Sequence, residues 1–192
     1  TYCTYPLIEG PRGRLRDPGQ VADEFMELCS RTSVEHLFIV DSVFNLPLRH
    51  AKEVCRELVA RGNTTPWTSY LNPAAFDDEL AELMVRAGAV GMEIGSDSGC
   101  DDILDRLRKG FHTDKITRLA RISKAHGLKD CHSFILGTTG EPLEHVERTL
   151  DFVAGLDPFA AIMLVWVEDS EVLDSRTELE RRRFRDAIYE RV

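Results

Sequence analysis

Val90-Gly91-Met92-Glu93-Ile94-Gly95-Ser96-Asp97-Ser98 begins as a short apolar run, carries a carboxylate in its middle, and ends in small and acidic residues. A continuous apolar run of this length, bounded by polar residues, predicts a strand buried on both faces of a parallel sheet. Glu93 stands out within it, because an isolated buried carboxylate is costly unless something pairs with it. That something is either a structural salt bridge or a ligand.

Four other runs share this character: Leu37 to Val40, Trp67 to Leu71, Ser133 to Leu136, and Ala160 to Val167. Stretches with helical spacing separate the strands. Val21, Phe25, Leu28 and Cys29 form one stripe; Ala51, Val54, Cys55, Leu58 and Val59 a second; Phe76, Leu80, Leu83 and Met84 a third. Ile116, Leu119 and Ala120 continue the pattern, as do Leu143, Val146, Leu150 and Val153. Each stripe can cover one face of a sheet. Gly62 and Gly88 fall after helices, while Pro47 and Pro142 open them. The alternation predicts an α/β fold wound by right-handed crossovers as a barrel or an open sheet. A last, strongly charged helix is expected over roughly 177–191.

Composition narrows the function. With 43% hydrophobic residues the 192-residue chain can bury one good core, and no apolar run approaches the roughly 20 residues that span a bilayer. A net charge of −9 argues against general nucleic-acid binding, which depends on Lys and Arg neutralising phosphates. Five cysteines without paired spacing argue against a disulfide framework and for a reducing cytoplasm. The six histidines show no H-x-x-x-H or H-x-H spacing, so none is read as a zinc ligand. Cys29, Cys55 and Cys131 read as buried thiols, and Cys100 as a capping or packing residue. Cys3 differs: it lies in the polar and aromatic turn Thr1-Tyr2-Cys3-Thr4-Tyr5-Pro6, where it is a candidate ligand.

In parallel α/β folds ligands bind beyond the carboxyl ends of the strands. The residues leaving each predicted strand are polar: Asp41, Ser42 and Asn45, then Asn72, then Glu93, Ser96, Asp97 and Ser98, then Thr138, Thr139 and Glu141. Such a mouth suits a ligand with an amine, a ribose and a purine better than a bare phosphate. The turn Gly137 to Gly140 lacks the endings of both common phosphate-binding loops.

Taken in order, Cys3, Val90 to Ser98, Leu104-x-x-Leu107-Arg108-Lys109-Gly110 and Gly137-Thr138-Thr139-Gly140-Glu141 resemble the radical S-adenosylmethionine (radical SAM) superfamily. The likeness is greatest to the subgroup with an amino-terminal cobalamin-binding domain. In many relatives the last turn reads Gly-x-Pro-Gly-Glu; Thr139 stands in place of that proline. The family's cluster loop is C-x3-C-x2-C, and Cys3 matches its third cysteine. The second is then expected immediately before Thr1 and the first four residues earlier.

This resemblance implies a partial (β/α)6 TIM-like barrel whose first strand precedes the chain, with a core over 1–170 and a helical extension over 171–192. It implies an enzyme that cleaves SAM reductively at a [4Fe-4S] cluster to a 5'-deoxyadenosyl radical, with Cys3 as cluster ligand and catalytic residue. Glu93 would accept from the SAM ribose or amine, assisted by Ser98. Tyr5 would lie near the adenosyl group, Gly137 against the adenine, Lys109 by the carboxylate, and Glu141 in the binding turn. Cobalamin from an upstream domain would make methylation an outcome, with a small-molecule or lipid-like substrate and an electron donor such as flavodoxin or ferredoxin. Two alternatives stay open: a non-catalytic SAM-binding remnant, and an unrelated barrel lyase or hydrolase using Asp41, Glu93 and Lys109, the last as a Schiff-base amine.

Overall fold

The computed structural model describes residues 5–8, 10, 13–31, 33–166 and 175–190. Five strands form a single sheet: β1 (Leu37–Ile39), β2 (Trp67–Leu71), β3 (Gly91–Asp97), β4 (Lys129–Leu136) and β5 (Ala160–Val165). All four neighbouring pairs are parallel, and their order in space is their order in sequence. Because right-handed crossovers that always step to the next strand put every helix on the same face, this topology is that of a barrel wall. A doubly wound sheet would need a reversal of order, and none occurs among these strands.

Among the described residues eight α-helices accompany the strands: α1 (Tyr5–Ile8), α2 (Pro18–Arg31), α3 (Leu48–Ala60), α4 (Asp78–Arg86), α5 (Asp101–Leu107), α6 (Thr113–His126), α7 (Leu143–Leu156) and α8 (Ser175–Tyr189). The stripes read from the sequence are the faces that pack: Ala22 and Phe25 of α2, Ala51, Val54, Cys55 and Leu58 of α3, Leu80, Ala81 and Met84 of α4. Leu28 is the exception, lying half exposed at the stripe's edge. Pro47 and Pro142 each occupy the position before a helix, and Asp77 caps α4 by accepting from Leu80 N–H at 2.8 Å.

Strand alternation divides the sheet into two faces. On the helix side, Trp67, Ser69 and Leu71 of β2 and Met92 and Ile94 of β3 are buried. The large Trp67 gives its indole N–H to Ala87 O at 2.8 Å, which satisfies the polar atom that burial would otherwise orphan. On the opposite face, Tyr70 pairs in register with Glu93, and Glu93 with Cys131; one layer on, Gly95 pairs with Ser133. Tyr70, Ile162 and Leu164 on this face remain substantially exposed. It is the face that a ligand can reach.

Helix α8 closes the far end. Phe184 and Ile188 pack with Phe134, Leu136 and Val146, so the helical extension shares the core of β4 and α7.

Candidate cofactor site at the carboxyl end of the sheet

Glu93 points to the open face of β3 and is half buried. Its neighbour across the ladder is Cys131, whose thiol is pushed up first by burial and then by the Glu93 carboxylate. Cys131 is therefore half buried beside the acid, where the sequence reading had it as a core thiol. The signal was available: along β4, Lys129, Cys131 and Ser133 alternate with Asp130, His132 and Phe134, and only the second set is fully buried.

Beyond Glu93 the strand changes character. A bulge between Gly95 and Asp97 shifts the register, and Asp97 takes a left-handed backbone with φ 63°. Aspartate tolerates this conformation better than most residues, and bulges re-aim the side chains they carry. Asp97 is thereby turned to meet Lys109, Oδ2 to Nζ 2.7 Å, with both side chains largely buried. Lys109 reaches this point because α5 is only seven residues long and stops at Arg108, which also adopts the left-handed form, φ 57°. The amide of Lys109 closes the stop by donating to Leu104 O at 3.0 Å. Its ammonium also lies 5.5 Å from the Phe111 ring centroid.

Gly95 lies between Glu93 and this ion pair. A Cβ there would meet only Lys109 Nζ at 3.6 Å and Asp97 Oδ1 at 3.7 Å. The glycine thus leaves a notch floored by backbone and bordered by Asp97 and Lys109, with Glu93 two residues earlier on the same face of the strand. Two carboxylates and one ammonium around an open notch suit a ligand that carries both an amine and a carboxylate.

The turn after β4 forms a second wall. Glu141 accepts from Thr138 N–H at 2.8 Å and from the Thr138 hydroxyl at 3.0 Å, while its own N–H returns to Thr138 O. Both of these bonds go to Oε2, and Oε1 is buried without a hydrogen-bond partner. Arg106 of α5 donates to Thr139 O, tying this turn to the one that delivers Lys109.

The other expected residues fall elsewhere. The side chain of Ser98 is fully buried and turned to α7: its hydroxyl meets Thr149 Oγ1 at 3.1 Å and accepts from Cys100 N–H at 3.0 Å. It shapes the turn and does not face the notch. Gly137, φ 76°, makes a close approach to protein, since a Cβ there would fall 2.9 Å from Phe184 Cε1. Asn45 is likewise structural, spending its amide on Asn72 and Ala75 backbone groups. Cys3 and the side chain of Tyr5 lie outside the described residues.

Sequence reasoning missed one buried network altogether. Ser96 Oγ lies 2.7 Å from His132 Nδ1, and His132 Nε2 3.2 Å from Asp130 Oδ2, while Asp130 Oδ1 accepts from Phe159 N–H at 2.9 Å. A carboxylate only accepts, so Nε2 carries a proton toward Asp130, while Nδ1 shares the second bond with the Ser96 hydroxyl. Burial alone would raise the Asp130 pKa, but hydrogen bonds from His132 and Phe159 N–H outweigh it and hold the carboxyl below its usual range. All three side chains are sealed on the helix side of the sheet, so this is not a hydrolase triad. It locks β3 to β4 directly beside the bulge that aims Asp97.

These features define a class: a parallel β/α barrel-wall domain with a carboxylate-lined notch at the carboxyl ends of its strands. The chain belongs to the radical SAM superfamily, whose family profile matches residues 1–153. It is 31% identical over 172 residues to tryptophan 2-C-methyltransferase of Streptomyces laurentii, covering 82% of this chain and 28% of that protein. It is 24% identical over 147 residues to the anaerobic magnesium-protoporphyrin IX monomethyl ester cyclase of Rubrivivax gelatinosus, covering 76% and 26%. Among solved structures, the radical SAM methyltransferase TsrM of Kitasatospora setae, with cobalamin and a [4Fe-4S] cluster bound, superposes with a TM-score of 0.72 at 27% identity, over 78% of this chain and 31% of that one. The chain spans about a third or less of the length of these relatives. Family membership removes the unrelated lyase or hydrolase, and the Asp97 ion pair leaves Lys109 a poor Schiff-base amine. No helix among the described residues is long and apolar enough to cross a membrane.

Proposed function

We propose that this chain is the SAM- and cluster-binding core of a radical SAM enzyme that methylates a carbon of a small-molecule substrate. The observation that carries the reading is the notch over Gly95, where Glu93, Asp97 and Lys109 converge on the open face of the sheet in a chain of this family. The donor chemistry fits SAM. The Glu93 carboxylate can accept from the amine or ribose, Lys109 can turn part of its charge to the ligand carboxylate, and Gly95 leaves room for both. Cys3 supplies a thiolate, the ligand type that such clusters require.

When bound, the cluster supplies an electron to SAM and cobalamin a methyl carrier, the latter held by a domain outside this chain. The residues of this chain orient and shield. Tyr70, Ile162 and Leu164 offer the substrate an apolar bed beside the notch. The relative that acts on tryptophan supports a substrate of aromatic character. A low-potential donor of the flavodoxin or ferredoxin kind completes the cycle.

The test is anaerobic reconstitution of the protein with iron and sulfide, followed by reduction and addition of SAM. 5'-Deoxyadenosine and S-adenosylhomocysteine are then quantified beside Cys3→Ala and Glu93→Gln variants. Turnover of SAM that disappears in Cys3→Ala supports the reading. SAM binding without turnover in a folded, cluster-loaded protein would make it a non-catalytic SAM-binding domain.

A further inference from the structure

We propose that Cys100, Asp102 and His145 form a zinc site at the rim of the domain, apart from the notch over Gly95. One ligating atom from each of the three lies within 4.8 Å of the other two. They come from two elements, Cys100 and Asp102 from the start of α5 and His145 from the first turn of α7.

The fold builds this meeting deliberately. Thr149 Oγ1 accepts from Gly99 N–H at 3.1 Å and meets the Ser98 hydroxyl at 3.1 Å, which pins α7 to the turn after β3. Gly99 permits the contact, because a Cβ at that position would fall 2.5 Å from Phe152 Cβ. His145, Thr149 and Phe152 follow one another at spacings of four and three, so they share one face of α7. The docking that seats Thr149 and Phe152 on residues 98 and 99 therefore delivers His145 to Cys100 and Asp102.

The imidazole arrives with a vacancy: His145 Nδ1 is buried and has no hydrogen-bond partner. Cys100 is buried as well, while Asp102 is exposed at the rim. A thiolate and a carboxylate together balance the charge of a divalent cation. Arg148, held by Glu144, also faces the Cys100 sulfur. Sulfur, nitrogen and oxygen donors in one set select zinc over magnesium or calcium, which take oxygen. Tetrahedral bonds of about 2.0–2.3 Å place ligand atoms roughly 3.3–3.6 Å apart, so no pair has to close by more than about 1.5 Å on binding. Three protein ligands leave a fourth position for water. A metal here would fix the turn through residues 98–100, and with it the Asp97 that meets Lys109.

The experiment uses the full chain carrying Cys3→Ser, so that the cluster loop cannot contribute. Zn2+ alone is titrated against a chromophoric chelator, and Co2+ is added as a spectroscopic probe. The expected result is one equivalent of Zn2+, and with Co2+ a thiolate charge-transfer band with the visible bands of a four-coordinate ion. Cys100→Ser abolishes that band. Asp102→Asn and His145→Gln each weaken Zn2+ by more than about tenfold, the scale that even outer-sphere partners command. Asp102 is exposed, so Asp102→Asn keeps the metal-free circular dichroism and melting point and separates ligation from folding. Absence of stoichiometric Zn2+ binding in the folded protein, or binding that Asp102→Asn and His145→Gln leave unchanged, would overturn the proposal.

Discussion

Asp130→Ala is expected to be among the more damaging single changes in this domain, although its carboxylate does not touch the notch. The substitution strips two donors of their acceptor, the partly buried Phe159 N–H at 2.9 Å and the buried His132 Nε2 at 3.2 Å. Leaving a buried donor unsatisfied costs about 1–3 kcal/mol, and the longer histidine bond belongs at the low end. The sum is about 2–5 kcal/mol. For a domain of this size each kcal/mol moves the melting temperature by about 2–4 °C, so a fall of about 4–20 °C is expected. Asp130→Asn keeps one acceptor and should lose roughly half as much.

The effect also has a pH signature. The folded-state pKa of Asp130 is lowered, so its stabilisation is complete above the ordinary carboxylate range and is lost as pH falls through the lowered value. The wild type loses this margin in acid, whereas the alanine variant has none to lose. The gap in stability between them should therefore narrow between about pH 7 and about pH 3. Urea unfolding followed by circular dichroism across that range measures it directly. A variant within about 0.5 kcal/mol of wild type at neutral pH, or a gap that does not change with pH, would refute the account.

Three other outcomes are expected. Glu93→Gln removes a charged acceptor from the notch, and since hydrogen bonds to charged groups contribute about 1.5–3 kcal/mol, SAM affinity measured by equilibrium dialysis should fall by roughly 10- to 150-fold with the fold intact. The same variant should speed alkylation of Cys131 by iodoacetamide at fixed pH, because the carboxylate that helps raise its pKa is gone; an unchanged rate would leave burial and the Asp130 charge as the causes. Gly99→Ala drives a Cβ to 2.5 Å from Phe152 Cβ, an overpacking that should cost about 1–3 kcal/mol by thermal unfolding, and Phe152→Ala in the same chain, which keeps that Cβ and removes only the ring, should leave most of the cost in place.

Much of the scaffold was legible because its periodicities are strong. Trp67 to Leu71 is β2 to the residue, the α2, α3 and α4 stripes are the packed faces, and Pro47 and Pro142 open helices where expected. The start of β4 was not legible, since Lys129-Asp130-Cys131-His132 carries three polar residues in a row of four. Those residues sit in a strand because Ser96 and Phe159, from β3 and the entry to β5, satisfy them. No local pattern encodes such partners. Helix α5 was legible only through Cys100, read as a capping or packing residue and found at its N-cap, because seven residues offer too little periodicity to read.

The sequence by itself determined the α/β alternation, the family, and the strand whose Glu93 faces the open side of the sheet, because burial period and motif order are local properties of the chain. The tertiary structure alone decided what each polar residue does there. It turned Asp97 through a bulge to Lys109, gave Ser98 to α7 and Gly137 to Phe184, and gathered Cys100, Asp102 and His145 at one rim. The physical reason is that a polar side chain takes its role from the partner within about 3 Å, and these partners stand as many as 51 positions away in sequence.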